Sequence, residues 1–343
     1  MKLLVTGGAG FIGSHFVRML LAGDLGDPDE RPTQSVTVLD ALAYSGVRAN
    51  LDSIAADRRM TFVVGDITDR KLVDRLVQDV DAVVNIAAES HVDRSIVDAT
   101  PFVHTNVLGT QTLLDAAREH GVPRFLQVST DEVYGSIDEG QADEYRPLLP
   151  TSPYAASKAA ADLLAQAYHR THGLDVVITR STNNYGSHQF PEKVIPLFVS
   201  NLLDGRVIPV HGDGSHVRDW LHVRDHCRAM YRVLQDGVSG EIYNVAGGTL
   251  LSNLELTKHL VEAVGASAPD LRFVPDRPSN DLRYALDATK LQRELAFVPT
   301  EPFDLGIAEA VRWYVDNRAW WQPLKALARL DAYENGVVAG TMS

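Results

Sequence analysis

Three glycines at fixed spacing constrain this chain more than any other feature. Gly7, Gly10 and Gly13 form G-x-x-G-x-x-G directly after the apolar β-run Lys2 to Thr6, and Phe11 to Leu21 then continue with helical apolar spacing. Strand, glycine turn and helix in that order gather backbone N–H groups at a helix N-terminus, where an anion is favoured. Glycine also allows the tight turn and the close approach of backbone to a pyrophosphate. Glycine clusters occur in flexible turns too, but the flanking strand and helix make this one a nucleotide-binding fingerprint.

The following residues repeat the alternation. Gly23 to Ser35 reads as a polar connection, and Val36 to Asp40 as a second strand ending in a carboxylate. An acid there can accept from an adenosine ribose and would repel a 2′-phosphate, so NAD is expected over NADP. Asp40 could instead only cap the next segment. Thr61 to Ile67 is a third strand with Asp66 at the adenine edge, and a helix starts near Asp69. Ala82 to Ile86 is a fourth strand running into Ala87 and Ala88, small enough to let a cofactor pass. Thr100 to His120 has helical spacing, with Thr105 and Asn106 turned toward the site. Short apolar strands follow at Phe125 to Val128 and Val176 to Arg180. The fold class is α/β, a Rossmann-type doubly wound parallel sheet with a smaller C-terminal substrate-binding lobe.

Past residue 180 the pattern loosens, and Pro191, Pro196, Pro209, Gly212 and Gly214 punctuate short elements. Arg218-Asp219-Trp220 reads as a turn before a helix from His222 to Leu234, and Glu241 to Ala246 as one more strand. Ser252 and Glu255 form a capping box, and Asp304 to Val315 an amphipathic helix. The expected organisation is an NAD-binding domain with the catalytic residues over 1–180, a mainly substrate-binding lobe over 181–330 with segments returning to the sheet, and a loosely ordered tail over 331–343.

The strand at Phe125 ends in Ser129-Thr130-Asp131-Glu132, which leaves hydroxyls and two carboxylates at the edge where open α/β sheets bind ligands. Pro153 then opens a helix carrying Tyr154 and Lys158, which share one face because they are four apart. A lysine ammonium beside a phenol favours the phenolate, which makes Tyr154 a candidate general base. A Tyr-x-x-x-Lys pair alone is common on solvated helices; the nucleotide fingerprint and the acids beside it give it chemical meaning.

Composition narrows the partners. Of 343 residues, 45% are hydrophobic and 22% charged, and the net charge of −13 argues against nucleic acid and anionic membranes as partners. The N-terminus lacks a signal peptide's apolar core and no run reaches membrane-spanning length, so a cytoplasmic protein is expected. Cys227 stands alone, which excludes an intrachain disulfide and fits a buried hydrophobe. His91 has no second ligand at metal-site spacing and reads as packed or solvated, so no metal is expected.

The set G-G-A-G-F-I-G, A-A-E-S-H-V-D-R-S, S-T-D-E-V-Y-G, S-P-Y-A-A-S-K, N-N-Y-G, P-E-K-V-I-P and R-D-W, spread over residues 7–220, resembles the NDP-glucose 4,6-dehydratases of the extended short-chain dehydrogenase/reductase family, of the dTDP-glucose type. Thr130-Asp131-Glu132 discriminates, since related epimerases and decarboxylases usually have small or hydroxyl residues where the two acids stand. The resemblance implies NAD-dependent oxidation at C4 of the sugar, loss of water across C5–C6 and return of hydride to C6. Tyr154 would take the C4 hydroxyl proton, with Lys158 lowering its pKa and Thr130 near O4. Glu132 would remove the C5 proton and Asp131 protonate the departing C6 hydroxyl.

It further implies that Gly7, Gly10, Phe11, Ile12, Gly13, Asp40, Asp66, Ile67, Ala87, Ala88 and Thr105, with Tyr154 and Lys158, contact NAD. Ser90, Thr130, Asn183, Lys193, Arg218, Asn253, Asn280 and Tyr284 would hold the nucleotide sugar, with Arg218 on the diphosphate. On spacing alone, the lesser alternative for Arg218 is a surface ion pair with Asp219. A homodimer through helices near 100–120 and 153–172 is expected from the family. The chain departs at Asn280, where a histidine is usual, at Ala43 and Val47 near the adenosine, and at Ser187-His188. These bear on affinity and nucleotide preference, since the acid–base residues are intact. The open alternatives are an NAD-dependent epimerase or decarboxylase, and a non-catalytic NAD-binding module.

Overall fold

The central strand sets the architecture. In the computed structural model, which describes residues 1–26, 33–267 and 269–327, β1 (Lys2–Thr6) buries Leu3, Leu4, Val5 and Thr6. A continuous apolar run suits a strand covered on both faces. Beside it, all in parallel register, lie β2 (Ser35–Asp40) and β3 (Met60–Val64) on one side, and β4 (Ala82–Asn85), β5 (Arg124–Thr130) and β6 (Val176–Ser181) on the other. Three short strands follow, β7 (Asn183–Tyr185), β8 (Ile208–His211) and β9 (Val217–His222). β10 (Ile242–Val245) then returns to the large sheet, giving the order β10-β6-β5-β4-β1-β2-β3. The strand order reverses between β1 and β4, and a crevice opens there beyond the carboxyl ends. β11 (Leu250–Ser252) joins β9 and β7 in a small mixed sheet, and β12 (Leu271–Val274) pairs with β8.

The helices are α1 (Phe11–Ala22), α2 (Arg70–Val77), α3 (Val92–Val97), α4 (Thr100–Phe102), α5 (Thr110–His120) and α6 (Pro153–His172). Past β6 they are α7 (Val194–Asp204), α8 (Val223–Asp236), α9 (Asn253–Val264), α10 (Thr289–Leu295), α11 (Phe303–Asp316) and α12 (Arg318–Leu327), of which α8 and α10 return to the large sheet. One sheet face packs against α1 and α8 through Phe16, Val17, Met230 and Val233. The other packs against α2, α5 and α6 through Val73, Leu113, Leu114 and Ala165. Buried Cys227 belongs to the first of these layers. A separate core around Phe198, Trp220, Ile307 and Trp321 joins α7, α9, α11 and α12 to β8 and β9. No helix among the described residues is long and apolar enough to cross a membrane.

Several elements differ from those the sequence suggests. Arg218-Asp219-Trp220 is strand rather than turn, because β9 pairs on both sides, with β7 and β11. Thr100 to His120 is not one regular helix, since Val103–Gly109 forms a π segment between α4 and α5, a wider turn of the kind that clusters at functional sites. α3, α10, α12, β8, β11 and β12 had no clear periodic signal; most are too short for one. The capping box of Ser252 and Glu255 is present at the start of α9. The tail after Asp331 and part of the connection before β2 lie outside the described residues.

Candidate active site

A cavity of about 370 Å³ runs along the carboxyl edge of the sheet, from the glycine turn to Lys193. At one end Gly7 has a φ of +68° and a Cβ there would lie 2.7 Å from the Ala87 backbone, while one on Gly13 would lie 2.2 Å from the Gly7 carbonyl oxygen. This backbone-on-backbone packing is why both positions need glycine. No side chain caps α1 and its first turn holds no acid, so its N-terminal amides face the cavity ready for an anion. Asp40 ends β2 buried, accepting from Ala9 N and Leu42 N, each at 2.8 Å. Uncapped amides and a carboxylate at the second strand fit a dinucleotide without a 2′-phosphate.

All the residues expected to contact NAD line this cavity: Gly7, Gly10, Phe11, Ile12, Gly13, Asp40, Asp66, Ile67, Ala87, Ala88, Thr105, Tyr154 and Lys158. Thr105 reaches it from the π segment. Asn106 instead braces the wall, accepting from Glu89 N and donating to Ser157 Oγ. Of the residues expected to hold the sugar nucleotide, Ser90, Thr130, Asn183 and Lys193 line the cavity, whereas Arg218, Asn253, Asn280 and Tyr284 stand outside its wall. Lys193 donates to Ser90 O at 2.8 Å. Arg218 does not pair with Asp219, which is buried and accepts from Gly247 N and Thr249 N. Its guanidinium donates to Asp281 O at 2.8 Å and Asn280 Oδ1 at 3.2 Å and lies 4.3 Å from the centre of the Tyr284 ring. Asn280, at the family's histidine position, also donates to Asp276.

At the far end of β5 the chain turns through the 3-10 segment Asp131–Tyr134. Thr130 Oγ1 donates to Asp131 Oδ1 at 3.1 Å, and Asp131 Oδ2 is buried without a partner. Burial, then the charge of Glu132, pushes the Asp131 carboxyl well above the usual carboxylate range. Burial raises Glu132 as well, but Lys193, Arg218 and Arg277 all favour its ionised form. Both neighbouring acids are thus raised, but Asp131, which has the Glu132 charge against it, is raised well above its usual range, while three cations partly offset the rise at Glu132.

The tyrosine–lysine pair differs from the simple expectation. Lys158 Nζ donates to Val128 O at 2.6 Å, so its ammonium is turned to the β5 backbone. Burial brings it down to about 8, against the pull of Asp162. Burial, with the charges of Glu132 and Asp131, raises the Tyr154 phenol rather than lowering it, opposed by a hydrogen bond with Thr130. The chain alone therefore keeps Tyr154 protonated.

Glu192, Phe190 and Asn184 line the cavity without having been singled out, and Arg277 faces Glu132 from a loop where it also forms an ion pair with Asp93 at 2.8 Å. Glu192 lies inside the P-E-K-V-I-P motif, so its proximity to Lys193 was the available signal. Arg277 opens the loop Arg277-Pro278-Ser279-Asn280-Asp281, whose resemblance to the family's Arg-Pro-Gly-His-Asp was its signal. His91 is buried, with Nε2 3.7 Å from Glu192.

A parallel sheet whose switch point faces a Tyr-x-x-x-Lys helix is the arrangement of the short-chain dehydrogenases/reductases, and the added lobe makes this an extended member. Residues 4–310 match the family model described as GDP-mannose 4,6 dehydratase, and the chain belongs to that family. It is 58% identical over 326 residues to the dTDP-glucose 4,6-dehydratase of Streptomyces niveus, covering 95% of this chain and 96% of that one. With the dTDP-glucose 4,6-dehydratase of an Actinoplanes strain the identity is 57%, over 94% of this chain and 100% of the other. Among solved structures, the dTDP-glucose 4,6-dehydratase DesIV of Streptomyces venezuelae, determined with NAD bound, superposes with a TM-score of 0.93 at 58% identity, covering 95% of this chain and 100% of that one.

Proposed function

We propose that this chain is an NAD-dependent lyase that removes water from dTDP-glucose to give dTDP-4-keto-6-deoxyglucose for deoxysugar biosynthesis. Asp131 and Glu132, side by side at the end of β5 in the cavity, the first raised by burial and the charge of the second, the second set against Lys193, Arg218 and Arg277, carry the reading. NAD, when bound, would supply a hydride acceptor for C4 that becomes the donor for C6, and a positive charge that would favour the ionised phenol needed to accept a proton. The glycine turn and α1 amides would hold its pyrophosphate, Asp40 the adenosine ribose, and Lys158 the nicotinamide ribose.

The protein groups divide the proton transfers. Tyr154 accepts the C4 hydroxyl proton, with Thr130 holding that oxygen. The ketone so formed acidifies the C5–H bond. Glu132, kept ionisable by three cations, takes the C5 proton, and the electron pair left on C5 expels the C6 hydroxyl. Asp131, which retains its proton, delivers it to that hydroxyl as it leaves as water. Glu132 returns its proton to C5 as C6 receives the hydride, and the proton taken up by Tyr154 makes good the one Asp131 gave, so the net change is one water lost, a ketone at C4 and a methyl group at C6. Ser90, Asn183 and Lys193 hold the sugar, while Arg218, Asn253, Asn280 and Tyr284 meet the nucleotide at the cavity's outer side. A guanidinium fork suits a diphosphate. An epimerase would have no use for an acid and a base beside C5 and C6, nor a binding module for any of the four ionisable groups.

The enzyme would work in the cytoplasm, where nucleotide sugars and NAD are made. It would work as a homodimer: apolar side chains of Val103, Leu108 and Leu163 are 54%, 44% and 56% exposed on the π segment and α6, which supports self-association there. The test is to purify the chain without added cofactor, supply dTDP-glucose, and identify the product by mass spectrometry and NMR. Loss of one water without net reduced cofactor is expected. Unchanged mass with inverted C4 would select the epimerase instead, and no turnover despite bound NAD would select the binding module.

A further inference from the structure

Behind the catalytic edge lies an ion pair that the proton transfers do not use. Arg180 on β6 is 1% exposed and Asp162 on α6 is 0% exposed, and Arg180 Nε donates to Asp162 Oδ2 at 2.9 Å. The same guanidinium donates through Nη1 to the Tyr134 hydroxyl at 2.8 Å and lies 4.8 Å from that ring's centre. Tyr134 donates onward to Asn244 Oδ1 on β10 at 2.9 Å. Desolvating two charges offsets most of their attraction, so a buried ion pair is a poor source of net stability and its presence asks for another role.

The two bonds end on the two elements that carry the catalytic groups. Tyr154, Lys158 and Asp162 recur every four residues on α6 and share one helix face. Tyr134 closes the 3-10 turn that holds Asp131 and Glu132. Arg180 itself pairs in the sheet with Ser129, next to Thr130. The oxidation pair and the elimination pair must reach adjacent carbons of one sugar ring without the sugar being redocked between steps. Their separation therefore has to be held from behind, and a planar fork can do so because its donors are fixed relative to one another.

We propose that Arg180 is a positioning residue that sets the spacing between Tyr154–Lys158 and Asp131–Glu132. The inference rests on the dehydratase reading. Arg180→Lys keeps the charge but cannot span both partners, and Tyr134→Phe keeps the ring and its volume while deleting one bond. Misplacement by about 1 Å costs up to about a hundredfold in rate.

Each variant is run with its bound NAD and dTDP-glucose in a single turnover. Rapid quench and mass spectrometry then separate sugar oxidised at C4 but still holding its C6 hydroxyl from sugar that has lost water. The ratio of oxidation rate to water-loss rate is expected to rise about tenfold or more in Arg180→Lys and by a smaller factor in Tyr134→Phe. Equal slowing of both steps, or no slowing of either, would overturn the proposal and leave Arg180–Asp162 as a packing feature. If Arg180→Lys does not fold, Tyr134→Phe with a melting temperature near the parent's decides the same question. Failure of the unaltered chain to turn over dTDP-glucose would overturn both the dehydratase reading and this inference. Turnover by the parent with an unchanged ratio in the variants overturns the inference alone.

Discussion

Replacing Asp131 with asparagine should separate catalysis from stability. The side chain is 3% exposed, with one oxygen accepting from Thr130 at 3.1 Å and the other buried without a partner. An amide fills the same space and still accepts from Thr130, but it has no proton to give the leaving hydroxyl. A positioned general acid contributes roughly 100- to 10,000-fold, or about 2.7–5.4 kcal/mol of barrier at about 1.36 kcal/mol per tenfold. Water loss should slow by that factor while oxidation at C4 continues. Stability should move the other way. Burial and the Glu132 charge raise this carboxyl in the folded protein, so the folded state keeps the proton after the unfolded chain has released it. Stability then falls as pH rises from the unfolded value of about 3.9 toward the folded one, and stays lowered above it. The cost grows by about 1.4 kcal/mol for each pH unit between the two values. The Asp131→Asn substitution removes that cost, so the variant should melt above the parent at neutral pH, and the difference should vanish below the unfolded value. Single-turnover mass spectrometry and thermal unfolding across a pH series measure the two effects. Water loss within about tenfold of the parent, or a lower melting temperature at neutral pH, would refute the reasoning.

Gly13→Ala puts a Cβ 2.2 Å from the Gly7 carbonyl oxygen; the protein should purify without NAD and lose about 1–3 kcal/mol of stability, read from cofactor content and denaturant unfolding. Asp40→Asn removes the charge opposed to a 2′-phosphate, and titration should show the NAD-over-NADP preference narrowing by about tenfold, or about 1.4 kcal/mol; an unchanged preference would refute the ribose assignment. Arg218→Leu removes charge-assisted bonds worth about 1.5–3 kcal/mol, so KM for dTDP-glucose should rise about ten- to a hundredfold with a smaller change in kcat. An unaltered KM would refute the diphosphate contact.

The elements legible in the sequence are those whose burial is written into neighbouring residues. β1, β2, β4, β5 and β6 are short, mainly apolar or β-branched runs because both faces are covered, and α1 and α6 begin at residues that mark helix starts, Gly10 after the turn and Ser152-Pro153. The capping box before α9 is likewise local, two side chains three residues apart. β7, β9 and β11 are three to six residues long and exist because they pair with one another; such short pieces carry no period, which is why Arg218 reads as a turn residue until its partners are known. The π segment at Val103–Gly109 keeps helical apolar spacing and hides its irregularity for the same reason.

The sequence by itself determined the class of chemistry, since glycine spacing, a strand-end carboxylate, adjacent acids and a tyrosine four residues before a lysine are each short-range patterns. Only the tertiary structure decided how those groups are tuned. The cations facing Glu132 come from α7's entry, from β9 and from a distant loop, and burial of Asp131, Tyr154 and Lys158 depends on every layer packed over them. Electrostatic energy depends on distance and desolvation in space, and neither can be read from separation along the chain.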